Sequence, residues 1–176
     1  RIDRPYLLAV ERLEESQKDL TTLLEAYALL RKTFHREEWL YIIGKGSSEE
    51  ELKQKARALG IADRTVFLGF CANPYPWMLR SRLLVHSAKF EGLPTVLIEG
   101  LLLDKLMVAT DCPTGPREIL DDGRAGLLVP VGDAAAFASA TDRLLNDTQL
   151  QADILQGVRD RAADFTFQAV DSKLRE

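Results

Sequence analysis

Short apolar runs alternate with longer stretches of helical periodicity along this chain. "YLLAV" (6–10) reads as a buried strand, and "DLTTLLEAYALLRK" (19–32) follows it with Leu20, Leu23, Leu24, Tyr27 and Leu30 at helical spacing. "WLYIIG" (39–44) and "TVFLG" (65–69) are the next strands. Between them, "SSEEELKQKARALG" (47–60) has Ser48 and Glu51 in capping-box register and stops on Gly60. "NPYPWMLR" (73–80) predicts a turn and a short helix before the strand "RLLVHS" (82–87). Two more strands, "LMVAT" (106–110) and "AGLLVP" (125–130), bracket a short helix at "GPREIL" (115–120). "DAAAFASATDRLL" (133–145) is an amphipathic helix with Asp133 as N-cap, and one or two helices complete the chain. Six repetitions of strand then helix predict an α/β fold, a Rossmann-like doubly wound parallel sheet. Continuous apolar strands such as "LYII" fit a sheet covered on both faces.

Such sheets bind ligands outside the carboxyl ends of their strands, so the loops after strands carry the chemistry. In "FEGLPTVLIEG" (90–100), Gly92 permits a tight turn and Pro94 suits a first helical position. A helix starting at Leu93 or Pro94 leaves the amides of Thr95, Val96 and Leu97 without intrahelical partners, which makes its tip an anion site. Glu91 precedes that tip and Glu99 lies a turn inside the helix. A carboxylate beside an anion site suits hydrogen bonding to sugar hydroxyls, because an ionised carboxylate only accepts. The layout matches a molecule with a sugar at each end of a diphosphate. On spacing alone, a solvated loop residue at 91 and a helix-surface glutamate at 99 remain the competing account.

Composition narrows the partners. The 176 residues suit one domain, and an apolar fraction of 46% supplies a core. A net charge of −4 argues against a nucleic-acid surface or a membrane-seeking basic face. Cys71 and Cys112 have no paired spacing and no histidine cluster, so they read as reduced thiols of a cytosolic protein rather than a disulfide or metal site. No apolar run reaches the ~20 residues of a membrane span. The abrupt opening on "RIDRPYLLAV" suggests an excised domain.

The spacing E-G-x-P-x-x-x-x-E from Glu91 to Glu99 resembles the motif of family 4 retaining glycosyltransferases, which have the two-domain GT-B architecture. "VATDCPTGPREILDDGRAGLLVPVGDAAAFASATDRLL" (108–145) is similar to that family's following strand, Gly-Pro-Glu turn, Asp-Gly, Gly-Leu-Leu-Val and final helix. The resemblance runs from about residue 5 to about 165 and implies the C-terminal, donor-binding half, with the donor domain at 1–165. Residues 166–176 resemble a helix that crosses back to an N-terminal acceptor domain. In "VERLEESQKDL", Arg12 and Lys18 stand where the family contacts the donor diphosphate, although Glu11 and Asp19 replace two of its glycines. The resemblance also implies that Gly44 and Gly46 let the backbone approach the donor, and that Val66 to Gly69, Val66 and Leu68 included, meet the base through main-chain groups. Gly92, Leu93, Pro94, Thr95 and Val96 would cradle the phosphates. Thr114 and Gly115 resemble a loop near the sugar.

His86, where the family more often has proline, reads as a satisfied structural imidazole, and Cys112 as a small packing residue. The activity implied is transfer of a hexose from a nucleotide sugar, UDP-linked by the look of the sequence, to a hydroxyl with retention. The expected setting is lipopolysaccharide or other envelope polysaccharide synthesis, in the cytoplasm or at the inner face of its membrane. Arg12 and Lys18 would stabilise the departing diphosphate, Glu91 would orient the sugar and Glu99 would hold the ribose. No metal or cofactor is implied beyond the nucleotide-sugar substrate. Two alternatives stay open: a non-catalytic nucleotide-binding module, and a sugar-nucleotide epimerase of the same architecture.

Overall fold

The computed structural model describes residues 4–166. Six strands, β1 (Tyr6–Val10), β2 (Trp39–Ile43), β3 (Thr65–Gly69), β4 (Leu83–His86), β5 (Met107–Thr110) and β6 (Leu127–Val129), form one sheet in the order β3-β2-β1-β4-β5-β6. Every pairing is parallel. The helices are α1 (Leu20–Lys32), α2 (Glu49–Ala58), α3 (Tyr75–Arg80), α4 (Thr95–Leu102), α5 (Pro116–Ile119), α6 (Ala134–Asn146) and α7 (Thr148–Ala162). The expected Rossmann-like doubly wound sheet is therefore present, each strand returning through a helix.

Helical spacing in α1 resolves into one buried stripe. Leu20, Leu23, Leu24, Tyr27 and Leu30 are all buried, each removing a large apolar side chain from water at a gain of roughly 2 kcal/mol. Tyr27 keeps its hydroxyl satisfied by donating to the carbonyl of Glu38 at 2.7 Å. That helix packs on α6, and Arg36 just beyond it donates to Asp142 Oδ1 at 2.6 Å. Asp133 caps α6 as expected, its carboxylate accepting from the amide of Ala136 at 2.8 Å.

Two local expectations fail. Ser48 sits at the N-terminus of α2 but forms no capping bond; its hydroxyl accepts from the amide of Glu15 at 3.0 Å instead. The capping box lost to a tertiary partner. Pro94 is not helical either: its ψ of 86° places it just before α4, whose first residue is Thr95. The expected helix over 166–176 lies outside the described residues from 167 onward. Among the described residues, no helix is long and apolar enough to cross a membrane.

The strand order positions the site. From β1 the chain moves outward to β2 and β3, whereas from β4 it moves the other way to β5 and β6. The loops leaving β1 and β4 consequently diverge and open a crevice at the carboxyl ends of these two neighbours.

Candidate functional site

The two loops flanking the crevice are joined by backbone before any side chain acts. Lys18 and Ala88 form an isolated antiparallel bridge, and the amide of Lys89 donates to Gln17 O at 2.8 Å. From the next strand, the Thr110 hydroxyl donates to Ala88 O at 2.9 Å and accepts from the Ala88 amide at 2.8 Å. Asp19 ties the first loop to the one after β6, accepting from the Gly132 amide at 2.9 Å and from the Thr22 hydroxyl at 2.8 Å. The aspartate that replaces a family glycine is thus a buried brace. Glu11 replaces the other glycine, and its Oε1 accepts from the Ser87 amide at 2.8 Å.

These ties set Lys18 against Glu91, which form a buried ion pair. Gln17 Nε2 donates to the second oxygen of Glu91 at 3.4 Å, and His86 Nε2 lies 3.4 Å from the first. Burial opposes the charge on Glu91, but His86 and Lys18 outweigh it and hold its pKa down at about 2. The carboxylate is therefore ionised throughout the physiological range.

The pair forms one wall of a cleft of about 340 Å³, lined also by residues 10–12, Gln17 and residues 93–96. Arg12 is exposed there and has no ion pair among the described residues. At the opposite wall α4 begins. The Leu97 amide donates to Pro94 O at 3.0 Å, so it is not free as expected. The amides of Thr95 and Val96 make no bond to a protein acceptor among the described residues. Cations and a helix tip thus converge on one volume, which can receive an anion.

Glu99 follows Thr95 by one helical turn and so lies on the same side of α4. It is half-buried outside the cleft lining, and burial raises its pKa above the usual carboxylate value. The loop after β5 braces the turn before α4: the Thr114 hydroxyl donates to Glu91 O, and Gly115, at φ 88°, lies against Pro94. Thr114 and Gly115 also border a neighbouring recess of about 790 Å³. Cys112 is buried, its thiol pKa raised to about 11 by burial and by the charge of Glu91, as a packing residue should be. Among the described residues, no group of three or more His, Cys, Asp or Glu side chains is arranged to hold a metal ion.

Other predicted residues lie elsewhere. A Cβ at Gly44 would run into the carbonyl of Glu11, and one at Gly46 into that of Leu13. The space these glycines vacate is filled by the protein's own backbone: Glu11 N donates to Ile43 O at 2.9 Å and Leu13 N to Lys45 O at 3.0 Å. Val66 and Leu68 belong to the edge strand β3; Val66 borders a separate recess against α2, and Leu68 packs on the core. None of these four residues lines the cleft.

His86 corrects a further expectation. It is 2% exposed, yet neither ring nitrogen makes an aligned hydrogen bond. Instead, Nδ1 lies 3.2 Å from Glu11 Oε1 and Nε2 lies 3.4 Å from Glu91 Oε1. Sequence reasoning noted the unusual residues at 11 and 86 separately and did not join them.

Residues 4–147 match the family model for glycosyl transferases group 1. The chain is 31% identical to a 4-alpha-N-acetylgalactosaminyltransferase of Campylobacter jejuni that acts on a diphospho-undecaprenol-linked saccharide, covering 91% of this chain and 42% of that protein. It is 32% identical to the lipopolysaccharide 1,6-galactosyltransferase of Salmonella typhimurium, over 99% of this chain and 51% of that enzyme. The chain thus spans about half the length of these relatives. Among solved structures, HepE of Anabaena in complex with UDP superposes with a TM-score of 0.86 at 23% identity, over 98% of this chain and 48% of that one. Cleft, sheet order and family match agree: this chain belongs to the group 1 glycosyltransferases, with the Rossmann-like fold of a GT-B C-terminal domain.

Proposed function

We propose that this domain binds a UDP-linked hexose and forms the donor half of a retaining, metal-independent hexosyltransferase of envelope polysaccharide synthesis. The observation that carries the reading is the convergence of Arg12, Lys18 and the first amides of α4 on one cleft at the β1–β4 reversal. A diphosphate is the anion that such a volume suits, because it presents several oxygens to cations and amides at once.

In the reaction the bond from the anomeric carbon to the β-phosphate oxygen breaks and UDP takes the electron pair, while the acceptor hydroxyl oxygen bonds to the anomeric carbon and its proton passes to the departing phosphate. Arg12 and Lys18 stabilise the charge that builds on the departing diphosphate, which is where fixed cations accelerate a reaction most. They supply the positive charge a metal ion otherwise would. Glu91, kept ionised, accepts from hexose hydroxyls, and Glu99 accepts from the ribose. The acceptor docks on an N-terminal domain, and the whole enzyme works on the cytoplasmic side of the membrane. Two comparisons support the setting: the Salmonella relative is named for lipopolysaccharide, and the Campylobacter relative for an undecaprenol-linked substrate.

Calorimetric titration of the 176-residue chain with UDP, GDP and ADP tests the donor assignment. Saturable heat with UDP is expected; no heat with any of the three overturns it.

A further inference from the structure

Of the two histidines in the chain, His35 is exposed and His86 is buried at the end of β4. Both nitrogens of His86 face carboxylates, Glu11 at 3.2 Å and Glu91 at 3.4 Å. An ionised carboxylate only accepts, and a neutral imidazole carries one N–H. A neutral ring would therefore turn a lone pair against one of the two anions. Only the imidazolium presents a proton to each.

The cluster has slack. Neither ring nitrogen is aligned as a hydrogen bond, and Glu11 Oε2 and Ser87 Oγ have no partner among the described residues. Its formal charges also balance only with His86 protonated: Glu11 and Glu91 against Lys18 and His86. Lys18 and His86 approach the same oxygen, Oε1 of Glu91. If Lys18 turns to a diphosphate, Glu91 is left buried beside whatever cation remains, and an uncompensated buried carboxylate is strongly disfavoured.

We infer that His86, as an imidazolium anchored by Glu11, is a positioning residue that keeps Glu91 ionised and in place while Lys18 moves to the donor diphosphate. This deepens the donor-site reading and rests on it. The groups facing the ring come from each loop around it: Glu11 after β1, Lys18 before α1 and Glu91 before α4. Cys112, after β5, senses the charge of Glu91 and stays a neutral thiol. Burial disfavours the charge on His86, but Glu11 and Glu91 outweigh burial and raise its pKa above the ordinary value.

Two measurements on the 176-residue chain test the inference. The first follows both histidine ring signals by NMR from pH 5 to 9, assigned with His35→Asn, a change its positive φ tolerates. His86 is expected to remain protonated at pH 6.5, the ordinary midpoint of a histidine, and Glu11→Gln to move its titration to lower pH. A His86 that is neutral at pH 6.5 overturns the inference, whatever the state of the nucleotide site. The second measures UDP affinity by calorimetry over the same range. Wild type is expected to weaken as His86 loses its proton, and His86→Gln to bind about tenfold more weakly at pH 6.5 with a flat profile. Unchanged affinity and pH profile in His86→Gln overturns the inference. Absence of UDP binding by wild type sinks the donor reading and the movement of Lys18 with it, while the ring titration still decides the charge of His86. Should His86→Gln fail to fold, Glu11→Gln carries the same comparison: loss of the high-pH shoulder supports the inference and its persistence overturns it.

Discussion

Glu91 and Lys18 neutralise each other inside the crevice, each more than nine-tenths buried. The pairing leaves neither charge uncompensated without ligand, and it also means that a ligand must compete for Lys18. Arg12 is in the opposite situation, exposed and without an ion pair among the described residues. The two cations are expected to answer substitution differently.

Arg12→Ala should leave stability within about 0.5 kcal/mol of wild type, because the side chain holds nothing in the fold. Its UDP affinity should fall about tenfold, and the salt dependence of binding should lessen. Urea denaturation and calorimetry at two salt concentrations check both halves. Equal affinity would remove Arg12 from the diphosphate site.

Glu91 sets an acid limit. Its folded pKa of about 2 lies below the ordinary 4.5 of an unfolded glutamate, so the unfolded chain takes up the proton first as pH falls. The stabilisation is present above pH ~5 and lost progressively towards pH ~2, and amounts to about 3 kcal/mol. Urea midpoints measured between pH 6 and 2 should fall less steeply for Glu91→Gln than for wild type. Identical slopes would show that the buried pair contributes no linkage.

The two glutamates should separate by ligand. Glu99→Ala is expected to weaken UDP about tenfold and UDP-hexose equally, since ribose is common to both. Glu91→Ala should weaken the UDP-hexose more than UDP. A matrix of two variants and two ligands in one calorimeter tests the assignment, and equal losses across all four cells would reject it.

Gly44→Ala should destabilise the fold by about 2 kcal/mol or more, because the new methyl meets a backbone carbonyl that has little freedom to retreat. The carbonyl belongs to Glu11, so UDP affinity should fall as well, through displacement rather than through contact. A thermal melt showing no loss would contradict the close approach.

Most of the fold was legible because it depends on periodicity, which is local. The runs at 6–10, 39–44 and 65–69 became β1, β2 and β3 with hardly a shift in bounds, β2 ending one residue early. What failed depended on tertiary partners. Ser48 had the right spacing for a cap, but the amide of Glu15, 33 residues away in sequence, took its hydroxyl. Gly44 and Gly46 signal a close backbone approach, and no local pattern names the neighbours that a Cβ there would meet, the carbonyls of Glu11 and Leu13. Glu11 and His86 are 75 positions apart; their partnership appears only when β1 and β4 lie side by side.

The antiparallel tie between the two loops at Lys18 and Ala88 has a consequence for how such a site can diversify. Main-chain bonds do not depend on which side chains the residues carry. A mouth laced together by its peptide groups can therefore exchange its chemical teeth one at a time and still keep its gape.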